Sequence, residues 1–391
     1  MMNKRKICII TGTRAEYGIM SELIKRLQSD DRVDLQIIAT NMHLAPEFGY
    51  TIKEIEKDGI TIDKKVEMLL SSDTHVGTVK SMGVELIGMA DAIAELWPDL
   101  IVILGDRYEM LACASAALIF GIPVAHLYGG EITEGAYDDS IRHAITKLSY
   151  LHFTSTEDYA LNVIQMGESP ERVFYVGSLG ANNIASGKIM ELKELEESIK
   201  FKLGQKFILV TYHPVTTEIS DAENQINNLL NALETVKEDY KILFTLPNSD
   251  TAGRMIAHRI KEWVNMNPEK SILIPSLGRL RYYSALSHCS AVIGNSSSGL
   301  CEAPSFKIPT LNIGNRQKGR TQGNTVINCG STEAQIKSGL KKVLSNEFAN
   351  QVIKNGKNPY YKPNTLELII DKLINTPLPE NLKKHFYKSK I

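Results

Sequence analysis

The sequence has almost no excess charge of either sign and no long hydrophobic run. Its 391 residues include 44 lysines and arginines against 45 aspartates and glutamates, so it lacks the basic excess of nucleic-acid-binding proteins. No stretch approaches the roughly 18 consecutive apolar residues of a membrane-spanning helix. The apolar run that starts at Ile7 is also too short for a secretory signal peptide. We therefore expect a cytoplasmic protein.

Cysteine is sparse, and two common nucleotide-binding motifs are missing. The five cysteines are odd in number and scattered, mostly in apolar runs: Cys8, Cys113, Cys289, Cys301 and Cys329. We expect reduced core residues, not a disulfide framework or a zinc site. No loop ends in the Gly-Lys-Ser/Thr of a Walker A motif, and GTRAEYG lacks the second and third glycines of a dinucleotide-binding fingerprint. These absences argue against an ATPase and against a nicotinamide-dependent oxidoreductase.

Short apolar runs alternate with stretches of helical spacing along most of the chain. Ten runs predict strands: ICII, LQIIA, LIVIL, PVAHLY, RVFYVG, FILVTY, KILFTL, SILIP, AVIGN and IPTLNI. Helical spacing between them is clear in EYGIMSELIKRLQSD and MADAIAELWPD. This alternation predicts an α/β fold with parallel sheets covered by helices on both faces.

The strand series divides into two. Residues from about 180 to 203 are charged and helix-prone, and a new series starts with KFILVTYHP. We predict two doubly wound, Rossmann-like domains with a cleft between them, over residues 1–180 and 200–365, followed by a helix and basic tail over 366–391. Ligands of such sheets bind beyond the carboxyl ends of the strands, so polar motifs at those ends are the candidate site.

Two such motifs lie in the first half of the chain. In TGTRAEYG, Gly12 allows a tight turn and Arg14 can offer a forked hydrogen bond to a phosphate or carboxylate. An ordinary turn with a solvated arginine is the alternative. In LGDRYEM, Asp106 and Arg107 leave a strand together, as at a polar active-site edge. Asp106 could equally cap the helix that follows.

A third motif, AHLYGGEITEGAYDDSIRHAITK, concentrates acids, histidines and glycines. It carries His126, Tyr128, Gly129, Gly130, Glu131, Asp138, Asp139, Arg142 and His143. Two acids from one loop could act as general acid and general base, although a solvated acidic loop before a helix is the alternative. Asp139 or Ser140 could cap that helix. The spacing gives little support to a metal site.

The second half of the chain repeats the pattern. His213 follows the strand in VTYHP, and Asn248 and Asp250 follow another strand, where turn chemistry explains them equally well. In GNSSSGLCE, three serines and Gly299 stand between a strand and a stretch predicted to be helical through Glu302. Backbone N–H groups at a helix start, together with hydroxyls, favour a bound diphosphate. The alternative is a serine-rich helix cap without a ligand.

In combination these motifs resemble those of the UDP-N-acetylglucosamine 2-epimerase family, in particular its hydrolysing branch, which feeds sialic and related nonulosonic acid synthesis. The resemblance runs from TGTRAEYG to NIGNRQKGR and implies a two-domain fold of the glycosyltransferase-B type. It implies elimination of UDP across C1 and C2 of a UDP-2-acetamido sugar, then addition of water. The product would be free N-acetylmannosamine or its 2,4-diacetamido-trideoxy analogue. A non-hydrolysing epimerase, a glycosyltransferase and a nucleotide-sugar sensor are the alternatives.

The resemblance also implies roles for individual residues. UDP would be bound by Arg14, Ala15, Asn248, Ser296, Ser297, Ser298, Gly299, Glu302 and Arg316, with Arg320 a weaker candidate. The sugar would be bound by His43, Arg107, Tyr128, Asp139 and Arg142. The catalytic residues would be Asp106, Glu131, Asp138 and His213, with His213 and Arg14 stabilising the leaving diphosphate. Tyr128 stands where many relatives have a glutamate. No metal or redox cofactor is implied, and a homo-oligomer is expected.

Overall fold

The computed structural model describes residues 4–70, 72, 74–186, 188–215, 217–247 and 252–388, without the side chains of 185 and 186. The chain divides into two compact units. Unit 1 comprises Met1–Glu131, Asp138–Asn183 and Tyr360–Ile391, and unit 2 comprises Ile132–Tyr137 and Ile184–Pro359. The predicted domains, 1–180 and 200–365 with a terminal 366–391, are coarser than these units. Residues 132–137 lie in unit 2, and the terminal helix lies in unit 1.

Unit 1 is built on one parallel sheet, which the described residues form with the strand order β3-β2-β1-β4-β5-β6-β7. The strands are β1 (Arg5–Thr11), β2 (Val33–Thr40), β3 (Lys64–Val66), β4 (Leu100–Leu104), β5 (Val124–Leu127), β6 (Leu151–Thr154) and β7 (Val173–Tyr175). All five residues of β4 are buried, because a central parallel strand is covered on both faces.

The helices of unit 1 cover both faces of this sheet. They are α1 (Arg14–Gln28), α2 (Ile52–Lys57), α3 (His75–Leu96), α4 (Tyr108–Ile119), α5 (Asp138–Leu148), α6 (Glu157–Gln165), α7 (Leu179–Ser186), which crosses the unit border, and the terminal α15 (Thr365–Asn375). Side chains alternate along β1. Ile7 and Ile9 join the apolar cluster of α1 and α15, whereas Cys8 and Ile10 join that of α3 and α4.

Unit 2 contains a second parallel sheet, with the order β10-β9-β8-β11-β12-β13. Its strands are β8 (Phe207–Thr211), β9 (Lys241–Thr245), β10 (Ser271–Ile274), β11 (Ala291–Gly294), β12 (Thr310–Ile313) and β13 (Val326–Cys329). Its helices are α8 (Leu192–Ile199), α9 (Ala222–Leu233), α10 (Gly253–Met266), α11 (Gly278–His288), α12 (Ser298–Cys301), α13 (Glu333–Val343) and α14 (Asn346–Asn355). One face packs on α9, α10 and α13, and the other on α8 and α11.

The predicted fold class is confirmed, because both units are doubly wound α/β sheets and each of the ten predicted strands is present. Three further strands were not predicted: β3, β6 and β13. They are three or four residues long, and each contains polar side chains, so they lack the apolar run on which the prediction depended. His152 of β6 is buried nonetheless, because Glu168 accepts a hydrogen bond from it.

The helix ends contradict one expectation, a helix through Glu302, and two capping possibilities that the sequence left open. Helix α12 stops at Cys301 and does not include Glu302, because Pro304 in the following turn cannot continue an α-helix. Helix α5 begins at Asp138, so Asp139 lies within its first turn and, like Ser140, does not cap it. Arg107, not Asp106, occupies the position before α4.

The described residues bear on the expectations about membrane-spanning helices and about the cysteines. None of their helices is both long enough and apolar enough to cross a membrane. All five cysteines are free, and three of them, Cys8, Cys113 and Cys289, are buried.

Candidate active site

The candidate site residues gather where each sheet changes winding direction. In unit 1 this point lies between the neighbours β1 and β4, and in unit 2 between β8 and β11. Ligands of doubly wound sheets bind beyond the carboxyl ends of the strands at such points. Arg14 follows β1 and Asp106 follows β4, while His213 follows β8 and Ser296 follows β11. Four of the predicted motifs therefore lie where doubly wound folds commonly bind their ligands.

The turn after β1 is fixed by a capping box. The Thr13 hydroxyl accepts a hydrogen bond from the Glu16 backbone N–H at 3.3 Å. The Glu16 carboxyl accepts from the backbone N–H groups of Gly12 at 2.9 Å and Thr13 at 3.2 Å. These bonds satisfy N–H groups that a helix start leaves open. Arg14, half-buried, and Ala15, exposed, therefore stand on the first turn of α1.

Arg142 joins the acidic motif of unit 1 to the end of β4. Its guanidinium forms ion pairs with Asp106 and with Asp139, the latter at 3.3 Å. The same side chain donates to the Glu131 carbonyl oxygen at 2.8 Å. The Arg142 side chain is 1% exposed, whereas that of Asp106 is 26% exposed. Arg142 thus lies beneath the surface and holds the acids in place, and Asp106 reaches solvent.

The other two candidate acids are more deeply placed. Glu131 is buried, and its Oε1 accepts a hydrogen bond from the Ser155 hydroxyl, just after β6, at 2.6 Å. Asp138 is buried at the first position of α5, where a negative charge faces the positive end of the helix dipole. Arg142 thus links the backbone of Glu131 to the carboxylate of Asp106, whereas the Glu131 carboxyl is bound by Ser155.

Tyr128 adopts a backbone conformation that is unusual for a tyrosine. Its φ is +69°, in the left-handed region that side chains other than glycine rarely occupy. Its hydroxyl lies 2.9 Å from the Ser178 hydroxyl and accepts from the Gly180 backbone N–H at 3.2 Å. The hydroxyl of Tyr128 is thereby bound to the start of α7.

Two buried histidines support the strand ends of unit 1. His126 Nε2 lies 2.7 Å from the Gly105 carbonyl oxygen, which can only accept, so Nε2 carries the proton. His43 lies between the hydroxyls of Thr11 and Thr51, at 3.1 and 2.9 Å. Burial lowers the pKa of His126 to about 3 and that of His43 to about 4, so both rings are neutral near pH 7. His126 thereby fixes the residue before Asp106.

In unit 2, Asn295 binds the backbone of His213. Its side chain accepts from the His213 N–H at 2.7 Å and donates to the His213 carbonyl oxygen at 2.8 Å. The Asn295 carbonyl oxygen in turn accepts from Arg316 at 3.2 Å and from Gln317 at 2.9 Å. A side chain at Gly294, where φ is +133°, would start 2.0 Å from the Thr211 carbonyl oxygen. The ends of β8, β11 and β12 therefore converge around Asn295.

The serine loop is less helical than its sequence predicted. Ser296 and Ser297 are half-buried, Ser298 is buried, and the Ser297 side chain makes no capping bond to α12. Helix α12 has only four residues, so its dipole is small, and hydroxyls and cationic side chains are the groups that could bind a diphosphate. A Cβ at Gly299 would lie 2.7 Å from the Thr310 methyl group, so packing on β12 requires this glycine.

Glu302 lies just beyond α12. Burial raises the pKa of its carboxyl, and the Ser298 hydroxyl and the charge of Arg320 oppose that rise. A carboxyl group in this position can bind paired hydroxyl groups. Glu302 and Arg320, both in unit 2, are therefore close enough for their charges to interact.

Six residues that follow Glu131 pack within unit 2. The Glu134 N–H donates to the Lys318 carbonyl oxygen at 2.9 Å, and the Gly135 carbonyl oxygen accepts from the Thr217 hydroxyl at 2.9 Å. A Cβ at Gly135 would lie 2.1 Å from the Asn315 carbonyl oxygen. This segment therefore lies against the loop that carries Arg316.

Sequence reasoning missed several residues that hold the site. Asn295 had a signal, since it opens the serine motif. So had Glu109 in LGDRYEM, which accepts a hydrogen bond from Arg107 Nε at 2.7 Å. Gln317 and Ser155 had none, because only the fold brings them to Asn295 and Glu131. The candidates Asn248 and Asp250 lie outside the described residues. Among those that are described, no three His, Cys, Asp or Glu side chains come together as a metal would need.

Comparison with known proteins identifies the family. Residues 25–374 match the family described as UDP-N-acetylglucosamine 2-epimerase. The chain is 44% identical to the GDP/UDP-N,N'-diacetylbacillosamine 2-epimerase (hydrolyzing) of Campylobacter jejuni, over 89% of both chains. It is 38% identical to the UDP-N,N'-diacetylbacillosamine 2-epimerase (hydrolyzing) of Legionella pneumophila, over 87% of this chain and 89% of the relative.

A solved structure supports the fold. The UDP-GlcNAc 2-epimerase of Methanocaldococcus jannaschii, crystallised with UDP-GlcNAc and UDP, has a TM-score of 0.78 to this chain at 22% identity. The match covers 94% of this chain and 99% of that one. The chain therefore belongs to the UDP-N-acetylglucosamine 2-epimerase family, as an enzyme of its hydrolysing branch.

Proposed function

We propose that the enzyme converts a UDP-linked 2,4-diacetamido sugar and water into UDP and the free sugar with inverted configuration at C2. The observation that carries this proposal is the placement of Asp106, tied to Arg142 and partly exposed, at the end of β4 in a chain of this family. The substrate class is supported by the names of the two relatives described above. UDP-N-acetylglucosamine is the second candidate, supported by the name of the family.

The reaction needs a base and a stabilised leaving group. The hydrogen on C2 is weakly acidic, so a carboxylate must be held against it while the C1–O bond to UDP breaks. Asp106 is the base that we assign, since Glu131 and Asp138 are buried and Glu131 is bound by Ser155. Water then adds to the glycal at C1 and a proton returns to C2 on the opposite face, which inverts that centre.

We assign the UDP part and the sugar part of the substrate to residues of different units. In unit 2, we assign UDP to the serine loop, Gly299, Arg316 and Glu302, with His213 at the diphosphate. In unit 1, we assign sugar binding to Arg107, Tyr128 and Asp139. The buried Arg142 and His43 are assigned to the same sugar site, where they hold neighbouring groups in place. Arg14 and Ala15, on the first turn of α1, are assigned to the diphosphate.

Product analysis tests the proposal. The protein is incubated in D₂O with UDP-N,N'-diacetylbacillosamine and, separately, with UDP-N-acetylglucosamine. We expect release of UDP and of a C2-inverted sugar that carries deuterium at C2, faster with the diacetamido substrate. A stable mixture of two intact UDP-sugars would instead indicate a non-hydrolysing epimerase. Absence of turnover without an added acceptor would favour a glycosyltransferase.

We also propose that the enzyme is a homodimer formed through α3. The outer face of this helix exposes Val76, Val79, Leu86 and Ile87, with Ile87 71% exposed. A two-fold axis near Leu86 would pair two such stripes in antiparallel fashion. Lys80 would then lie opposite Asp91 of the partner subunit, and both positions are exposed. The self-complementary charge pattern is what favours a second copy as the occupant of this face.

Light scattering after size exclusion tests this arrangement. We expect a dimer for the wild type and a monomer for Ile87→Lys. Ile353→Lys, at an exposed position on α14, is the matched control and should remain dimeric. A dimer that persists in Ile87→Lys would contradict an interface on α3.

The state of the cysteines supports a cytoplasmic location. All five are free, as in a reducing compartment. We therefore propose that the enzyme acts in the cytoplasm, and cell fractionation with an antibody to the untagged protein would test this.

A further inference from the structure

The six residues that follow Glu131 have an unusual place in the chain. These residues, 132–137, belong to unit 2, whereas Glu131 before them and Asp138 after them belong to unit 1. We call residues 132–137 the connecting segment. Both flanking residues are buried acids of the candidate site. The contacts of the connecting segment therefore bear on where these acids stand.

Both ends of the connecting segment lead to Arg142. At its start, the Glu131 carbonyl oxygen accepts a hydrogen bond from the Arg142 guanidinium at 2.8 Å. At its end, Asp138 begins α5, which carries Arg142 about one helical turn later. The same guanidinium forms the ion pair with Asp106, the base assigned above. A displacement of the connecting segment would therefore reach Asp106 through one buried arginine.

The connecting segment contacts the loop that follows β12, residues 314–320. The Glu134 backbone N–H donates to the Lys318 carbonyl oxygen at 2.9 Å, and the side chains of these two residues form an ion pair at 2.9 Å. A Cβ at Gly319 would lie 2.6 Å from a methyl carbon of Ile132. Backbone and side chains of the segment therefore both bind this loop.

Gly135 makes the closest of these contacts. Gly135 is buried, and a Cβ there would lie 2.1 Å from the Asn315 carbonyl oxygen and 2.8 Å from the Arg316 Cα. Both distances are far shorter than an ordinary van der Waals contact of about 3.5–4.0 Å. Any side chain at this position would therefore displace either the segment or the loop by roughly 1 Å.

The loop that follows β8 binds the connecting segment as well. The Thr217 hydroxyl donates to the Gly135 carbonyl oxygen at 2.9 Å. The next residue, Glu218, accepts from the Asn315 side chain at 2.9 Å and from the Gln225 side chain of α9 at 2.7 Å. These bonds connect the loops after β8 and β12 to each other, and Gly135 contacts both.

The same two loops carry residues that we assign to UDP. His213 begins the loop after β8, and Arg316 lies in the loop after β12. Arg316 and Gln317 both donate to the Asn295 carbonyl oxygen, at 3.2 and 2.9 Å. The loop after β12 is thereby fixed to the end of β11. We therefore expect a side chain added at Gly135 to displace the connecting segment more than this loop.

We propose that Gly135 is a positioning residue, whose close contact with the loops after β8 and β12 holds the connecting segment, and through it Arg142 and Asp106, in the geometry of C2 proton removal. The inference rests on the proposed function, since it takes Asp106 as the base and the two loops as part of the UDP site. It assigns to the segment a role in kcat and a much smaller role in the binding of UDP. A base that is held in place before the substrate arrives needs no ordering during the reaction.

The test compares Gly135→Ala with Gly339→Ala in steady-state assays of UDP release and in calorimetric titrations with UDP. Gly339→Ala is the matched control, because its Cβ would lie 2.6 Å from the Leu311 side chain, in α13 of the same unit. We expect Gly135→Ala to lower kcat by about 30- to 100-fold, with KM and the Kd of UDP changed less than about threefold. Gly339→Ala should lower Tm but keep kcat within about twofold of the wild type.

Thr217→Val tests the same contact without adding bulk, since it removes the hydroxyl that binds the Gly135 carbonyl oxygen. We expect kcat to fall by about three- to tenfold with KM nearly unchanged. Thr235→Val is its control, because the Thr235 hydroxyl also donates to a carbonyl oxygen of unit 2, that of Ala232 at 2.7 Å. This control should keep the kcat of the wild type.

Four outcomes would overturn the inference: wild-type kcat in Gly135→Ala, equal losses of kcat in the two alanine variants, wild-type kcat in Thr217→Val, or a loss of UDP affinity as large as the loss of kcat. The last outcome would mean that the UDP site itself was displaced. If Gly135→Ala does not fold, the comparison of Thr217→Val with Thr235→Val decides. Failure of the proposed function is distinguishable, because the wild type itself would then release no UDP.

Discussion

The side-chain amide of Asn295 holds the backbone of His213 at both of its polar groups, 2.7 Å from the N–H and 2.8 Å from the carbonyl oxygen. Asn295 is fully buried, so water cannot replace these bonds. The pair joins the end of β11 to the end of β8. It therefore sets where the imidazole of His213 stands relative to the serine loop that follows Asn295.

Removal of this amide should impair catalysis more than folding. We expect Asn295→Ala to lower kcat by about 10- to 100-fold, because displacement of a catalytic group by an ångström can cost that much. Asn312→Ala is the control, since Asn312 is also a buried amide of the same sheet but binds Asn328. Both variants should lose about 1–3 kcal/mol of stability. Equal losses of kcat in the two would contradict a specific role for Asn295.

Glu85 should make stability depend on pH in the neutral range. Its pKa is about 8 in the folded protein against 4.5 for an ordinary glutamate, so the folded state retains a proton that the unfolded state releases between these values. The free energy of unfolding should therefore fall as the pH rises from about 4.5 to about 8. Glu85→Gln removes this penalty and should raise Tm at pH 8 more than at pH 5.

Differential scanning calorimetry at the two pH values checks the prediction for Glu85. Glu95→Gln, at an exposed position of the same helix that pairs with Lys64, is the control and should show no such difference. Equal destabilisation by Glu85→Gln at both pH values would mean that the buried group is ionised.

The tail beyond α15 should contribute to stability through Lys384. Its ammonium group lies 2.9 Å from both carboxylate oxygens of the buried Glu168, which also contacts Lys147 and His152. Burial alone would raise the pKa of Glu168, but these hydrogen bonds outweigh it and lower the pKa to about 2. The stabilisation is thus present above pH 4.5 and is lost as the pH falls toward about 2.

We expect Lys384→Ala to lower Tm by several degrees at pH 7 and to leave kcat unchanged. The exposed neighbour Lys383 supplies the control, and Lys383→Ala should have almost no effect. Thermal unfolding near pH 3 should show a smaller difference between the two variants, because Glu168 is then closer to protonation. A tail that does not bind unit 1 in solution would give identical Tm values for both.

Chelation should not affect the reaction. Leaving-group stabilisation is assigned here to cationic side chains and hydroxyls, and the described residues contain no cluster of metal-ligating side chains. We expect UDP release to persist at an unchanged rate after dialysis against EDTA. Loss of activity that a divalent ion restores would show that a metal takes part.

The architecture was accessible from the sequence because its strands are buried on both faces. Runs such as LIVIL and FILVT consist of apolar residues that no amphipathic helix would carry, and the polar motifs follow them directly. Parallel strands end at one edge, so placing Asp106 and His213 at the carboxyl ends of their sheets needed no further information.

Contacts between distant segments were not accessible in this way. Glu16, Glu85 and Glu109 read as ordinary charged positions on helices, and only the packed fold buries them, Glu16 and Glu109 against Gly12 and Glu85 against Thr40 and Cys113. The same holds for Arg142, which the sequence places near the sugar and the fold binds to Asp106. The short α12 shows that a local prediction can also fail. Pro304, in the turn that follows, ends the helix before Glu302, which the sequence analysis had included in it.

The order in which the ribosome makes the chain differs from the order in which the first sheet can be completed. Strand β1 is synthesised before the rest of its sheet, but Ile369 and Leu373 of α15, which share its apolar cluster, emerge more than 350 residues later. The whole of residues 184–359 is translated in between. The part of this apolar sheet face that α15 covers therefore stays exposed on the nascent chain until residues 365–375 have been translated, although α1 can cover its neighbours earlier. Exposed apolar surface of this kind is what chaperones bind.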